Sequence, residues 1–347
     1  MPLLLGMAIL EAIFGNWFKQ DEWMATRQLN IVRDRKITFK VDNLYNSKQA
    51  SVVYTRDSYG LRGGCGAPKS IDVLTVGGST TDQRYIGDGE TWQDVLQHEL
   101  QSRLGKSVCI ANAGVDGHST FGHLAAFEHW FPRIPNLTPK YYLLYLGIND
   151  GGIRLIPNDG FDTNNQSAFK RVWRHNSAMF QLFELVNSLF TSKAAYAGHA
   201  KKPPQPAEYT ALEKTNGIDA LIVKNTELFG QRLSLLLDKI GQRQGIPICV
   251  TQPHLFTATF AGVKKGIENA FSFENQAYNG LDYDASLASI NLEMKRLCTG
   301  KGRYFVDMAV KSFDVDDFYD PVHSTPKGAL RVGSYLAEEF QKQGISF

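Results

Sequence analysis

The chain has 347 residues with 37 basic and 35 acidic side chains, a formal net charge of +2. A hydrophobic fraction of 43% and an aromatic fraction of 12% supply a sizeable core and exclude a disordered chain. The near-balanced charge leaves no basic field for nucleic acid and no acidic tail.

The N-terminus, Pro2–Leu10, is apolar until Glu11 interrupts it, and Asn16 and Lys19 close it. It is shorter than the ~20 apolar residues of a spanning helix, and it lacks the basic start and small-residue cleavage site of a signal peptide. Three roles stay open: the stub of a membrane anchor, an interfacial helix that gives membrane association, or a helix packed on the body. Next, Lys36–Val41 and Ser51–Thr55 predict a small β-hairpin. Residues 1–65 therefore read as an N-terminal extension and 66–347 as the main domain.

From Ile71 onward strand-like and helix-like stretches alternate. The strand candidates are Ile71–Val76, Val108–Asn112, Tyr141–Leu146, Ile246–Thr251 and Arg303–Val306. Most are short apolar runs, as expected of strands covered on both faces. Between them Thr91–Leu104, Ile218–Gln244, Ala285–Leu297 and Pro326–Gln341 predict helices. Such alternation favours a parallel sheet with helices on both faces. Residues 151–215 form a long insertion. In it Met179–Phe190 carries an apolar stripe that reads as a core-facing helix, with a lid or acyl-binding wall over the site, or membrane contact, as the alternatives. The aromatic-basic run Phe169–Arg174 reads as a packed helix with a solvated face, with a grip on a glycan or an acidic headgroup as the alternative. The four cysteines are Cys65, Cys109, Cys249 and Cys298, with no CxxC motif. Cys109 and Cys249 fall in strand-like runs and read as small core residues.

The first strand breaks into Gly77-Gly78-Ser79-Thr80-Thr81-Asp82. This matches neither a dinucleotide GxGxxG turn nor a P-loop, and no lysine stands ready for a phosphate. It suits a nucleophilic serine at the carboxyl edge of a sheet, where open α/β sheets bind ligands. A serine needs a base and oxyanion donors. Candidates follow later strands: Asn112-Ala113-Gly114-Val115-Asp116-Gly117-His118-Ser119, then Gly147-Ile148-Asn149-Asp150. Before the last helix, Asp320-Pro321-Val322-His323 places an acid and a histidine where the acid can set the ring tautomer.

These four segments, in this order, resemble the SGNH (GDSL-like) hydrolase family, with GGS in place of GDS. The resemblance spans about residues 70–340 and implies the flavodoxin-like fold of that family. That fold is a three-layer α/β/α sandwich on a central, mostly parallel five-stranded sheet, here with an N-terminal extension and the insertion. It implies Ser79 as nucleophile, His323 as base and Asp320 as its orienting acid. It implies an oxyanion hole of Ser79 N–H, Gly117 N–H and the Asn149 side chain, with Gly114 the alternative glycine. Gly78 stands where the family has aspartate, so a local hydrogen bond is absent or comes from Asp82 or Asp150. Asp57-Ser58-Tyr59-Gly60-Leu61-Arg62-Gly63 resembles the segment before the serine in bacterial envelope-associated members, which favours the cell envelope over the cytoplasm.

The expected activity is serine ester hydrolysis, as an esterase or lipase or as a carbohydrate O-deacetylase, on a small-molecule or glycan ester. The alternatives are a carbohydrate O-acetyltransferase using the same site and a non-catalytic glycan-binding module. Gly78, His118, Asp150 and His254 are candidate substrate contacts, with a structural loop role the alternative for His254. Asp316 and Asp317 are alternative acids, read as solvated, and His123 and His129 read as ordinary helix residues. No HExxH or comparable ligand spacing occurs, so neither a catalytic metal nor a cofactor is expected.

Overall fold

The computed structural model describes residues 2–15, 17, 29–45, 50–156, 177–180, 182, 195–196 and 202–347. Phe169–Arg174 and most of the Met179–Phe190 stripe lie outside these residues. Within the described part of that stripe, Met179 and Leu182 are exposed rather than core-facing.

Helix α1 (Pro2–Phe14) comes first, then the antiparallel hairpin β1 (Arg35–Lys40) and β2 (Ser51–Arg56). The main domain runs β3 (Val73–Gly77), α2 (Ser79–Asp82), α3 (Trp92–Leu104), β4 (Ile110–Asn112), α4 (Thr120–His129), β5 (Tyr141–Tyr145) and α5 (Ile148–Gly151). A short strand β6 (Ala195–Tyr196) pairs with β1. Then follow α6 (Ile218–Gln242), β7 (Ile246–Val250), two small hairpins, α7 (Gly280–Cys298), β12 (Tyr304–Val306) and α8 (Pro326–Lys342). The hairpin strands are β8 (Thr257–Phe260) with β9 (Val263–Gly266), and β10 (Phe271–Phe273) with β11 (Gln276–Tyr278).

The central sheet has five strands in the order β12-β7-β5-β3-β4, all parallel. Its two faces are set by the period-2 alternation of buried strands. On β5, Tyr141, Leu143 and Tyr145 face Trp92 and Leu96 of α3 and Leu336 and Phe340 of α8. Tyr142 and Leu144 face the other way, onto Phe127 of α4, Leu233 of α6 and Met294 of α7. The result is the expected three-layer α/β/α sandwich. The chain leaves β3 towards β4 on one side and returns to β5 on the other. The carboxyl ends of β3 and β5 therefore flank a topological switch point, the place where such sheets hold ligands.

Two sequence expectations are corrected. Cys109 and Cys249 are not free core residues: disulfides join Cys65 to Cys109 and Cys249 to Cys298. Helix α7 begins at Gly280 rather than Ala285, because Asn279 caps it by accepting from Leu281 N and Asp282 N while Asp282 accepts from Asn279 N. The apolar N-terminus forms α1, whose Leu5, Ile9, Leu10, Ile13 and Phe14 are exposed. Among the described residues no helix is long and apolar enough to cross a membrane.

Candidate active site

Strand β3 ends at Gly77, paired with Tyr145 at the end of β5. After Gly78 the chain turns at once into α2, which places Ser79 at its first helical position and partly exposed. Beneath it Thr80 Oγ1 donates to Gln252 Oε1 at 2.6 Å, and Gln252 Nε2 donates to Tyr145 O at 2.9 Å. The turn is thereby tied to the ends of β5 and β7.

Imidazole and carboxylate arrive from the loop before α8. His323 Nε2 lies 2.7 Å from Ser79 Oγ, and His323 Nδ1 lies 2.6 Å from Asp320 Oδ2. Asp320 Oδ1 accepts from Val322 N and His323 N, each at 2.8 Å, so the acid also folds its own loop. Burial alone would raise the Asp320 carboxyl. The His323 hydrogen bond and charge, with the two backbone N–H groups, outweigh burial and hold it below its usual value. An ionised Asp320 fixes the proton on Nδ1 and leaves Nε2 to accept from the Ser79 hydroxyl. Tyr319 stacks on the His323 ring, with centroids 5.5 Å apart and planes 8° from parallel. Leu255 N donates to Pro321 O at 2.7 Å and pins the loop beside β7.

The second and third segments converge on the same spot. Asn149 sits on α5, and its Nδ2 donates to His118 O at 2.8 Å. One amide hydrogen remains for another acceptor. Gly114 N donates to Asn112 Oδ1 at 2.8 Å, so that N–H is occupied. Among the described residues, Gly117 N and Ser79 N donate to nothing. Gly117 has φ +80°, a left-handed conformation that glycine adopts at no steric cost.

A family model described as GDSL-like Lipase/Acylhydrolase matches residues 75–331, most of the chain. The chain belongs to the GDSL-like lipase/acylhydrolase family. It is accordingly an enzyme of ester hydrolysis. No curated protein matches it by sequence. Among solved structures it is similar to a lipase from a goat rumen metagenome, at 12% identity over 77% of this chain and 96% of that one, TM-score 0.45. A lipolytic G-D-S-L family member from Veillonella parvula is 12% identical over 79% and 99%, TM-score 0.43. A catalytic mutant of an acetylxylan esterase from Geobacillus stearothermophilus is 12% identical over 78% and 92%, TM-score 0.41. Likenesses this distant carry no conclusion about substrate.

In this GDSL-family hydrolase, three expected substrate contacts, His118, Asp150 and His254, are engaged by other protein groups. The His118 ring is buried, with Nε2 against Leu29 O at 2.8 Å, so it braces the N-terminal extension. Asp150 is buried and accepts from Thr120 N and Oγ1 and from Arg232. His254 Nδ1 accepts from Phe256 N, and its Nε2 lies 3.4 Å from Asp284 Oδ1, the structural loop role. Gly78 lies between His118 O and Asn149 Nδ2, which a Cβ there would approach to 2.9 and 2.6 Å. Asp82 and Asp150 are both buried and engaged with other side chains. Asp82 is taken by Arg56, Tyr54 and Arg84, and Asp150 by Thr120 and Arg232. Asp317 is not solvated: it is buried and paired with Arg331 at 3.0 Å, while Asp316 pairs with Lys327 at the surface. His123 and His129 both lie on α4, the first buried and the second exposed. Among the described residues no group of His, Cys, Asp and Glu could hold a metal.

Sequence reasoning missed three contributors. Tyr319 carries no motif signal. Asn112 is legible as the start of its segment but not as a staple, yet Nδ2 donates to Thr81 O while Oδ1 receives Gly114 N. Arg56 did leave a signal: it falls in the buried register Val52, Tyr54, Arg56 of β2, where an unpartnered arginine would be costly.

Proposed function

We propose that the chain hydrolyses esters through an acyl intermediate on Ser79. The observation that carries this is the hydrogen-bonded line from Ser79 Oγ through His323 to Asp320 at 2.7 and 2.6 Å. As Oγ attacks the acyl carbonyl, its proton passes to His323 Nε2, and Asp320 stabilises the imidazolium. The carbonyl oxygen, now an anion, takes hydrogen bonds from Ser79 N, Gly117 N and the free hydrogen of Asn149 Nδ2. His323 then protonates the departing alcohol. Water attacks the acyl-serine with His323 again as base, which releases the acid and restores the serine.

The substrate is a small-molecule or glycan ester, and carbohydrate O-deacetylation fits the same chemistry. Two disulfides support an oxidising compartment such as a bacterial envelope. The test is covalent labelling with a fluorophosphonate, combined with hydrolysis of p-nitrophenyl acetate and of acetylated xylan. Ser79→Ala should abolish labelling and turnover. His323→Ala should lose about 10²–10⁴-fold in kcat. Asn149→Ala should lose about 10²–10³-fold and still label slowly. Full turnover by Ser79→Ala would defeat the proposal. Acetyl transfer to added sugar in excess of acetate release would instead assign the acyl group to a carbohydrate acceptor.

A further inference from the structure

Beneath the nucleophile turn lies a guanidinium that comes from outside the segment matched by the family model. Arg56 ends β2, in the N-terminal hairpin, and is buried. A guanidinium has five N–H donors in a rigid fork, and each finds an acceptor here. Nε donates to Tyr54 Oη at 2.8 Å. One Nη donates to Gly60 O at 3.0 Å and Asn112 O at 2.9 Å. The other donates to Gly114 O at 2.7 Å and, in an ion pair, to Asp82 Oδ1. Tyr54 Oη closes the network by donating to the same Asp82 oxygen at 2.8 Å.

Three of these acceptors, Asp82, Asn112 O and Gly114 O, belong to the two backbone pieces that carry the candidate oxyanion donors. Asp82 is the last residue of the helix that Ser79 begins. Asn112 O and Gly114 O flank the start of the loop that reaches Gly117. Gly114 packs so closely on Thr81 and Asp82 that a Cβ there would overlap their backbone. The two pieces also meet directly, through Val115 N to Gly77 O at 3.0 Å and Asn112 Nδ2 to Thr81 O at 2.6 Å, and the guanidinium clamps them at Asp82. A second arginine from the same extension holds the same end of the helix and the turn after it: Arg62 donates to Asp82 O at 3.0 Å, Gln83 O at 2.9 Å and Ile86 O at 2.6 Å. The first two are carbonyls at the end of α2, which lack intrahelical partners.

We infer that Arg56 is a positioning residue that sets the separation of the Ser79 and Gly117 N–H donors, so that the N-terminal hairpin is part of the catalytic unit. The inference rests on the acyl-Ser79 proposal and goes beyond it by assigning catalytic consequence to residues that never meet substrate. A lysine keeps the charge but offers three donors from one point and cannot span the same carbonyls. With the fork gone, the clamp from Asp82 to the Asn112 and Gly114 carbonyls is lost and only the direct bonds such as Val115 N to Gly77 O remain; an oxyanion donor misplaced by about an ångström loses much of its effect.

The test uses the full chain with Arg56→Lys, Arg56→Met and, as a milder change, Tyr54→Phe. Active sites are counted by fluorophosphonate titration, and kcat and KM for p-nitrophenyl acetate are expressed per titrated site. Arg56→Lys should lower kcat per site by about tenfold or more with KM within about twofold, the signature of lost transition-state stabilisation. Tyr54→Phe should move kcat in the same direction by a smaller factor and keeps the test alive if the Arg56 variants do not fold. In an Asn149→Ala background the Arg56→Lys effect should shrink, because both changes act on one anion site. Wild-type kcat per titrated site in Arg56→Lys or, where that variant does not fold, in Tyr54→Phe, would overturn the inference, as would full additivity with Asn149→Ala; each marks a role in folding alone. If wild type fails to label at Ser79, or Ser79→Ala still turns over, it is the acyl-Ser79 proposal that falls, whatever Arg56 does.

Discussion

A Cβ placed on Gly78 would stand 2.6 Å from the side-chain nitrogen of Asn149 and 2.9 Å from the carbonyl oxygen of His118. These two groups are also hydrogen-bonded to each other at 2.8 Å. The glycine that replaces the family aspartate is thus what lets the asparagine close on the nucleophile turn. Restoring the familiar GDS sequence with Gly78→Asp should therefore harm this protein. We expect kcat to fall by about 10²-fold, within the range for loss of one oxyanion donor, while the far-ultraviolet circular dichroism stays unchanged. A Gly78→Asp variant as active as wild type would show that the Asn149 amide is not needed where it stands.

Acid should uncouple the pair beneath the site. Burial would raise the Asp82 carboxyl, but the charges of Arg56 and Arg84, with hydrogen bonds from Arg56 and Tyr54, hold it below its usual 3.8. A carboxyl with a depressed folded value stabilises the fold above its unfolded pKa, and that stability is lost as pH falls through the folded value. Asp82→Asn leaves Arg56 buried without its counter-charge and should cost about 3 kcal/mol or more at neutral pH. The stability gap to wild type should narrow progressively as pH drops below about 4. Denaturant melts of both proteins from pH 7 to pH 2 would check this, and a gap independent of pH would refute it.

The stacked tyrosine beside the base should matter through its ring. Tyr319 lies face to face with His323, and such a pair is worth about 0.5–1.5 kcal/mol. Tyr319→Leu should free the imidazole to rotate and lower kcat by about two- to tenfold. Tyr319→Phe keeps the ring and most of the rate. Equal losses in the two variants, measured at saturating substrate, would move the role from the ring to the hydroxyl.

Reduction should loosen the molecule. The two disulfides close spans of 44 and 49 residues, and chain entropy assigns each about 4 kcal/mol. Removing Cys249–Cys298 by a double alanine substitution should lower the melting temperature by about 10 °C. Mass spectrometry without reductant should find all four cysteines oxidised, and free thiols at these positions would contradict the pairing.

The first three candidate segments were legible because each stands where a buried apolar strand stops, and a parallel sheet collects such stops on one edge. Ser79 and Asn149 could be named as candidates without coordinates for that reason, and the Asp320–His323 loop from its acid–histidine spacing before the last helix. The two hairpins between β7 and α7 were not. Their tight turns use Ala261-Gly262 and Glu274-Asn275, all four at positive φ, where Asn-Gly or Asp-Gly would have announced a type I′ turn. The cysteine partners lie too far apart in sequence for spacing to pair them. His118 and Asp150, engaged by other protein groups, show a further limit: position beside a motif fixes where a backbone passes, not which partners its side chain takes.

Serine and base are separated by 244 positions along the chain. During synthesis the nucleophile is made early and the imidazole late. Until the Asp320–His323 loop docks beside β7, Ser79 is an ordinary alcohol of low reactivity. On the proposed mechanism a chain without that docked loop is chemically silent, because no base stands ready to take the Ser79 proton. On that proposal the order of the residues acts as a timer that keeps acyl transfer off until the two halves of the site have met.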